Sequence, residues 1–183
     1  MQIRNKVKLH DLNFELYLKE EEIVSYIDKV ANQINKDFKD KIPLLIPVLN
    51  GAFMFAADLM KRITIDCEIS FTKLSSYSGT STTGTVKTLI GMGNDIEGRD
   101  IIIIEDIVDT GKTLEKLYTE TRKFNPKSIR IATLLYKPEA YHHKIPLDYV
   151  GKEISNKFIV GYGLDYDGLG RNLPNIYVLS ENK

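Results

Sequence analysis

Three carboxylates, Glu105, Asp106 and Asp109, fall within five residues, and Thr110, Gly111, Lys112 and Thr113 follow at once. The two halves of this stretch suit different parts of one ligand. Successive backbone N–H groups, two hydroxyls and the positive end of a following helix make residues 110–113 an anion cradle suited to a phosphate. Carboxylates would repel that phosphate. They need hydroxyls, a divalent cation, a proton or a developing positive charge as partners. A phosphorylated sugar that carries a diol and reacts through a cation-like centre satisfies every group, so the stretch points to a ribose 5-phosphate.

Two elements must position these residues. Ile101, Ile102, Ile103 and Ile104 precede the acids and read as a short strand buried on both faces of a parallel sheet. Leu114, Leu117, Tyr118 and Thr121 follow at helical spacing. The loop between them stands at the carboxyl end of a strand, where open α/β sheets place their ligands. Other motifs fail. A P-loop needs glycine where Asp106 stands. A phosphoacceptor receiver would carry its acidic strand near the domain start, and here one hundred residues come first. Neither 91–96 nor 161–166 completes G-x-G-x-x-G, because Ile96 and Tyr166 occupy the last place, so dinucleotide binding has no support.

Composition sets the frame. With 183 residues, 43% of them hydrophobic, the chain can bury one α/β domain spanning residues 1–183. Twenty-five basic side chains balance twenty-five acidic ones, which argues against a nucleic-acid surface or a polybasic membrane anchor. Cys67 is the only cysteine, which excludes an internal disulfide and a cysteine cluster for zinc. The first residues lead into charge, and no apolar run approaches ~18 residues, so a cytoplasmic, soluble protein is expected.

Periodicity predicts a helix over residues 20–38, with Ile23, Tyr26, Ile27, Val30 and Ile34 inward and glutamates at its front. Residues 43–51 predict a buried strand ending in an Asn50-Gly51 turn, which is either connector chemistry or a further set of amides on the ligand edge. A helix then carries Phe53, Phe55, Ala56, Leu59 and Met60. Residues 65–73 read as one strand. The small, polar 75–85 stretch around Tyr77 is either a hairpin loop or a lid that excludes water from a reactive intermediate. Residues 128–136 predict another strand, with Lys137 at its carboxyl end. Residues 157–172 read as a short strand and a turn-rich hood, where Phe158 or Tyr162 can stack on a planar base. His10, His142 and His143 have no metal-ligand spacing, and the last two are expected on a surface turn.

Residues 105–113 resemble the phosphoribosyl pyrophosphate (PRPP) motif of type I phosphoribosyltransferases: apolar strand, two acids, two apolar residues, then D-T-G-K-T. Matching motifs recur in order from about residue 43 to 179, and V-G-Y-x-L-D-Y followed by an arginine is similar to the hypoxanthine-guanine group. The resemblance implies a central parallel sheet flanked by helices, a small hood from the terminal segments and a flexible lid with Ser76 and Tyr77. It implies purine salvage, with magnesium-dependent transfer of phosphoribose from PRPP to N9 of hypoxanthine or guanine. A PRPP-binding regulator is the alternative. Glu105 and Asp106 would hold the ribose hydroxyls and their metal, Asp109 would accept a proton from the base, and Thr110, Gly111, Lys112 and Thr113 would bind the 5′-phosphate. Leu49, Asn50, Gly51 and Arg171 would meet pyrophosphate, with a strained Leu49–Asn50 peptide. Many purine-specific members have lysine or arginine where Asn50 stands, so its contact would come from the backbone. Lys137 would bind the exocyclic oxygen of a 6-oxopurine, Phe158 would stack on it, Ile159 and Leu164 would line its edge, and Asp165 would stand near magnesium. A homodimer or homotetramer is implied.

Overall fold

Ile101, Ile102, Ile103 and Ile104 are each fully buried, because helices cover both sides of the strand that carries them. The computed structural model describes residues 4–74, 88–90 and 96–180. The expected lid at 75–85, with Ser76 and Tyr77, lies outside the described residues. In chain order the elements are β1 (Lys6–Leu9), β2 (Leu12–Leu18), α1 (Glu20–Asp37), β3 (Leu44–Leu49), α2 (Phe53–Met60), β4 (Glu68–Ile69) and β5 (Thr72–Leu74). There follow β6 (Thr88–Ile90), β7 (Asp100–Val108), α3 (Lys112–Arg122), β8 (Ser128–Tyr136), β9 (Tyr149–Glu153), β10 (Ile159–Val160) and β11 (Ile176–Leu179).

The main sheet runs β6-β5-β3-β7-β8-β9, with β4 also on β3. Every pairing in it is parallel except β5 with β6. Strand alternation sends Ile102 and Ile104 into one core with Ile23, Ile27 and Val30 of α1 and Phe55 and Leu59 of α2. Ile101 and Ile103 meet Leu114 and Leu117 of α3 on the other face. Because β3, β7 and β8 are parallel, their carboxyl ends share one edge.

Pro47 would seem out of place in an interior strand, since it has no N–H to donate. The sheet accommodates it by breaking its neighbour: β4 pairs with Leu44 and Leu45, β5 pairs with Val48 and Leu49, and the gap falls opposite Ile46 and Pro47. That break corrects the single strand expected over 65–73. A second correction concerns β7, which continues through Glu105, Asp106, Ile107 and Val108, so two of the three acids are strand residues and not loop residues. Ile107 and Val108 hold the strand together by pairing with Leu135 and Tyr136 of β8.

A second sheet, antiparallel throughout, has the order β1-β2-β11-β10 and joins the two ends of the chain. Strands β1, β2 and β9 were not legible as strands, since β1 is half lysine and β9 contains Gly151, Lys152 and Glu153. Asn175, at the foot of β11, accepts the Glu20 N–H at 2.8 Å and so caps α1 from across the fold. The α1 boundaries follow the predicted helix, with its three glutamates in the first turn.

Removing side-chain volume from the doubly covered strand should be costly. Ile102→Ala is expected to lower unfolding stability by about 2–5 kcal/mol, read from the urea midpoint at constant slope.

Candidate active site

Glu105 and Asp106 are consecutive on a strand and so turn to opposite faces. Glu105 lines a pocket of about 100 Å³ together with Asp109, Thr110, Gly111, Lys112 and Thr113. Asp106 faces the other way, against Gly51, and lies within electrostatic reach of Arg171 and Asp165. The ladder with β8 runs residue by residue to Glu105–Thr133, passes over Asp106 and resumes at Ile107–Leu135. At that point the Ile107 N–H donates to Asp106 Oδ1 at 2.9 Å. Both carboxyls are buried. Burial, and secondarily repulsion from Asp106, pushes Glu105 well above the usual carboxylate range. Burial raises Asp106 to about 6, against the lowering effects of the Ile107 N–H and Arg171.

The 109–111 turn carries the chain from β7 into α3. Gly111 caps the helix at φ 83°, a left-handed conformation that favours glycine. The 110–113 backbone thus lies at the helix amino terminus beside the pocket, as the spacing predicts, and Thr110, Lys112 and Thr113 are exposed.

On the Asp106 side, the turn after β3 is held tightly. A side chain on Gly51 would collide with the Asp106 carboxylate, and one on Gly163 would collide with the Gly51 carbonyl. The Leu49–Asn50 peptide is cis. Arg171 reaches the same hood segment, donating to the Gly163 carbonyl at 2.7 Å and pairing with Asp165 at 2.6 Å. The second Asp165 oxygen accepts the Gly168 N–H at 2.7 Å. Among the described residues, no three histidine, cysteine or acidic side chains converge as a ready-made metal cage.

Beyond β8, Lys137 is buried, and its ammonium donates to Asp109 Oδ2 at 2.7 Å. Sequence reasoning identified both residues and missed their pairing. The available signal was their position at the ends of adjacent parallel strands. Phe158 is 44% exposed, with ring neighbours Phe14 and Tyr166 at 6.0 and 5.9 Å. Ile159 is buried in β10, and Leu164 is half-buried in the turn that follows. Tyr162 is buried and hydrogen-bonded to Asp58 of α2, which removes it as a stacking surface. His142 is exposed, whereas His143 packs beside Tyr141 and pairs with Glu115 at 3.2 Å.

Residues 15–167 match the phosphoribosyl transferase domain family. The chain belongs to this family. It is 48% identical over 163 residues to hypoxanthine-guanine phosphoribosyltransferase of Streptococcus pyogenes, covering 88% of this chain and 91% of the relative. It is 43% identical over 171 residues to the enzyme of the same name from Bacillus subtilis, covering 93% and 94%. The solved hypoxanthine-guanine phosphoribosyltransferase of Bacillus anthracis matches with a TM-score of 0.84 at 40% identity, over 91% of this chain and 98% of that one. This phosphoribosyltransferase is therefore a transferase on the α/β scaffold expected from its motifs. No described helix is long and apolar enough to cross a membrane.

Burial of Asp106 gives this phosphoribosyltransferase a measurable pH signature. Between the ordinary value of 3.8 and about 6, the folded protein binds a proton there that the unfolded chain has lost. Stability from this group therefore falls as pH rises through that window. The shift corresponds to about 3 kcal/mol. Asp106→Asn is expected to raise the thermal midpoint at pH 8, and the gain should vanish by pH 3. An equal gain at both pH values would refute the assignment.

Proposed function

We propose that the protein transfers the 5-phosphoribosyl group of PRPP to N9 of hypoxanthine and guanine, giving IMP or GMP and pyrophosphate in purine salvage. The observation that carries this reading is the Lys137–Asp109 pair at 2.7 Å. The 6-oxo oxygen and N7–H of a purine stand side by side, an acceptor next to a donor. An ammonium beside a carboxylate offers the complementary pattern. A 6-aminopurine would set its own donor against the ammonium, which disfavours adenine.

Loss of pyrophosphate from C1 leaves a ribosyl centre with cationic character, so stabilisation must serve that cation and the departing anion together. N9 forms the new bond to C1, the bond from C1 to the pyrophosphate oxygen breaks, and the N7 proton passes to Asp109. Lys137 holds the 6-oxo oxygen, Phe158 stacks on the ring, and Ile159 and Leu164 line its edge. Thr110, Gly111, Lys112 and Thr113 hold the 5′-phosphate, so binding energy remote from C1 orients the sugar. The backbone of Leu49, Asn50 and Gly51 and the Arg171 guanidinium receive pyrophosphate. Ser76 and Tyr77 would close over the centre.

A divalent ion takes one or two carboxylates and completes its shell with phosphates and water. Glu105 on the pocket side and Asp106 on the Gly51 side, each pushed toward protonation by burial, are the carboxylates that would hold one. Asp165, which is paired with Arg171, lies within electrostatic reach of Asp106. Magnesium bound there would neutralise charge on the departing pyrophosphate and help hold the ribose hydroxyls. A homodimer or homotetramer is the assembly that accompanies this reading.

The deciding experiment measures pyrophosphate release from PRPP and magnesium with hypoxanthine, guanine, xanthine, adenine and uracil in parallel. Release with hypoxanthine or guanine, and formation of the matching monophosphate, is expected. PRPP binding with no release from any base would leave a PRPP-binding regulator. Within the reaction, Asp109→Asn should lower kcat by roughly 10²–10⁴-fold with little change in the KM for PRPP. Equal loss in both parameters would make Asp109 a ground-state binding residue.

A further inference from the structure

The segment after β8 touches the 109–115 stretch at three points. Lys137 pairs with Asp109 at 2.7 Å. The rings of Tyr141 and His143 back onto Gly111, where an added Cβ would stand 2.7 Å from Tyr141 Cδ2 and 2.8 Å from His143 Cδ2. His143 Nδ1 lies 3.2 Å from Glu115 Oε1, one turn into α3. This wall is itself anchored. The Tyr141 hydroxyl donates to the Ile145 carbonyl at 2.7 Å, and its ring stands edge-on to Tyr136 at 5.6 Å. Tyr141, Ile145 and Leu147 all pack against the core of Ile101, Ile103, Leu114 and Leu117.

A left-handed glycine is the residue with the most backbone freedom to lose, so a turn built on one needs support from outside to keep its amides aimed. Neither Tyr141 nor His143 lines the 105–114 pocket, so neither is placed to touch a ligand there. We propose that Tyr141 and His143 are positioning residues for the 5′-phosphate, holding Gly111 and the start of α3 in the conformation that binds it. This rests on the function proposed above. Because the same segment begins at Lys137, it also links the base-binding end of the site to the phosphate end.

The test compares Tyr141→Leu, Tyr141→Phe and His143→Ala by steady-state kinetics and by calorimetric titration with ribose 5-phosphate. In Tyr141→Leu and His143→Ala, the KM for PRPP and the Kd for ribose 5-phosphate should each rise roughly tenfold, while the KM for hypoxanthine at saturating PRPP stays within about twofold. Tyr141→Phe keeps the ring against Gly111 and should retain near wild-type values. A purely architectural role would lower the thermal midpoint and the active fraction without this split. Folded variants with unchanged ribose 5-phosphate affinity, or with both KM values rising in parallel, would overturn the proposal. If Tyr141→Leu does not fold, His143→Ala and the surface change Glu115→Gln, which alters only the side chain that His143 contacts, decide it by the same readings. A wild-type protein inactive with every base would count against the proposed reaction alone, and the ribose 5-phosphate titration would still decide the role of these two residues.

Discussion

Parallel pairing of β7 with β8, covered by helices on both faces, is the constraint on which the remaining structure depends. It buries four isoleucines completely and sets the ends of β3, β7 and β8 along one edge. Each strand end then contributes a different chemical group: the close Asn50–Gly51 turn after β3, Glu105 and Asp106 within β7 with Asp109 and the start of α3 after it, and the Lys137 ammonium after β8. Fully burying one aliphatic side chain contributes about 1.5–3 kcal/mol, and β7 carries four of them. That gain offsets the cost of drawing Glu105 and Asp106 into the same low-dielectric environment.

The two buried acids illustrate how one strand serves two sides of a site. Alternation turns Glu105 toward the 109–113 turn and Asp106 toward the turn after β3 and the hood. Burial raises the cost of carrying charge on both sides. Conformational room is equally constrained there. Gly51 is pressed between the Asp106 carboxylate and Gly163, so the parallel sheet and the hood approach each other across a turn that tolerates no side chain.

The hood depends on the same economy of contacts. Two chain ends form one antiparallel sheet, and its attachment to the main body includes the Asn175 cap on α1 and the Tyr162–Asp58 hydrogen bond to α2. Arg171 reaches back to the Gly163 carbonyl and to Asp165, which orders the segment that lies over Gly51. The exposed aromatic Phe158 stands at the foot of β10 beside the rings of Phe14 and Tyr166.

By itself the sequence determined the elements whose signals are local. The isoleucine run, the 3.6-residue period of α1, the strand over 128–136 and the D-T-G-K-T turn are each written in adjacent residue types, and each was found where the pattern put it. Weakly patterned strands such as β1 and β9 were not legible, because a few residues rich in lysine or glycine take their extended form from a partner strand. Only the tertiary structure decided the extension of β7 through its acids, the split of β4 from β5 around Pro47, the burial of Lys137 against Asp109, and the wall that Tyr141 and His143 build behind Gly111. Each of these joins residues far apart in the chain, and burial, pairing and close approach are properties of a neighbour that local sequence does not name.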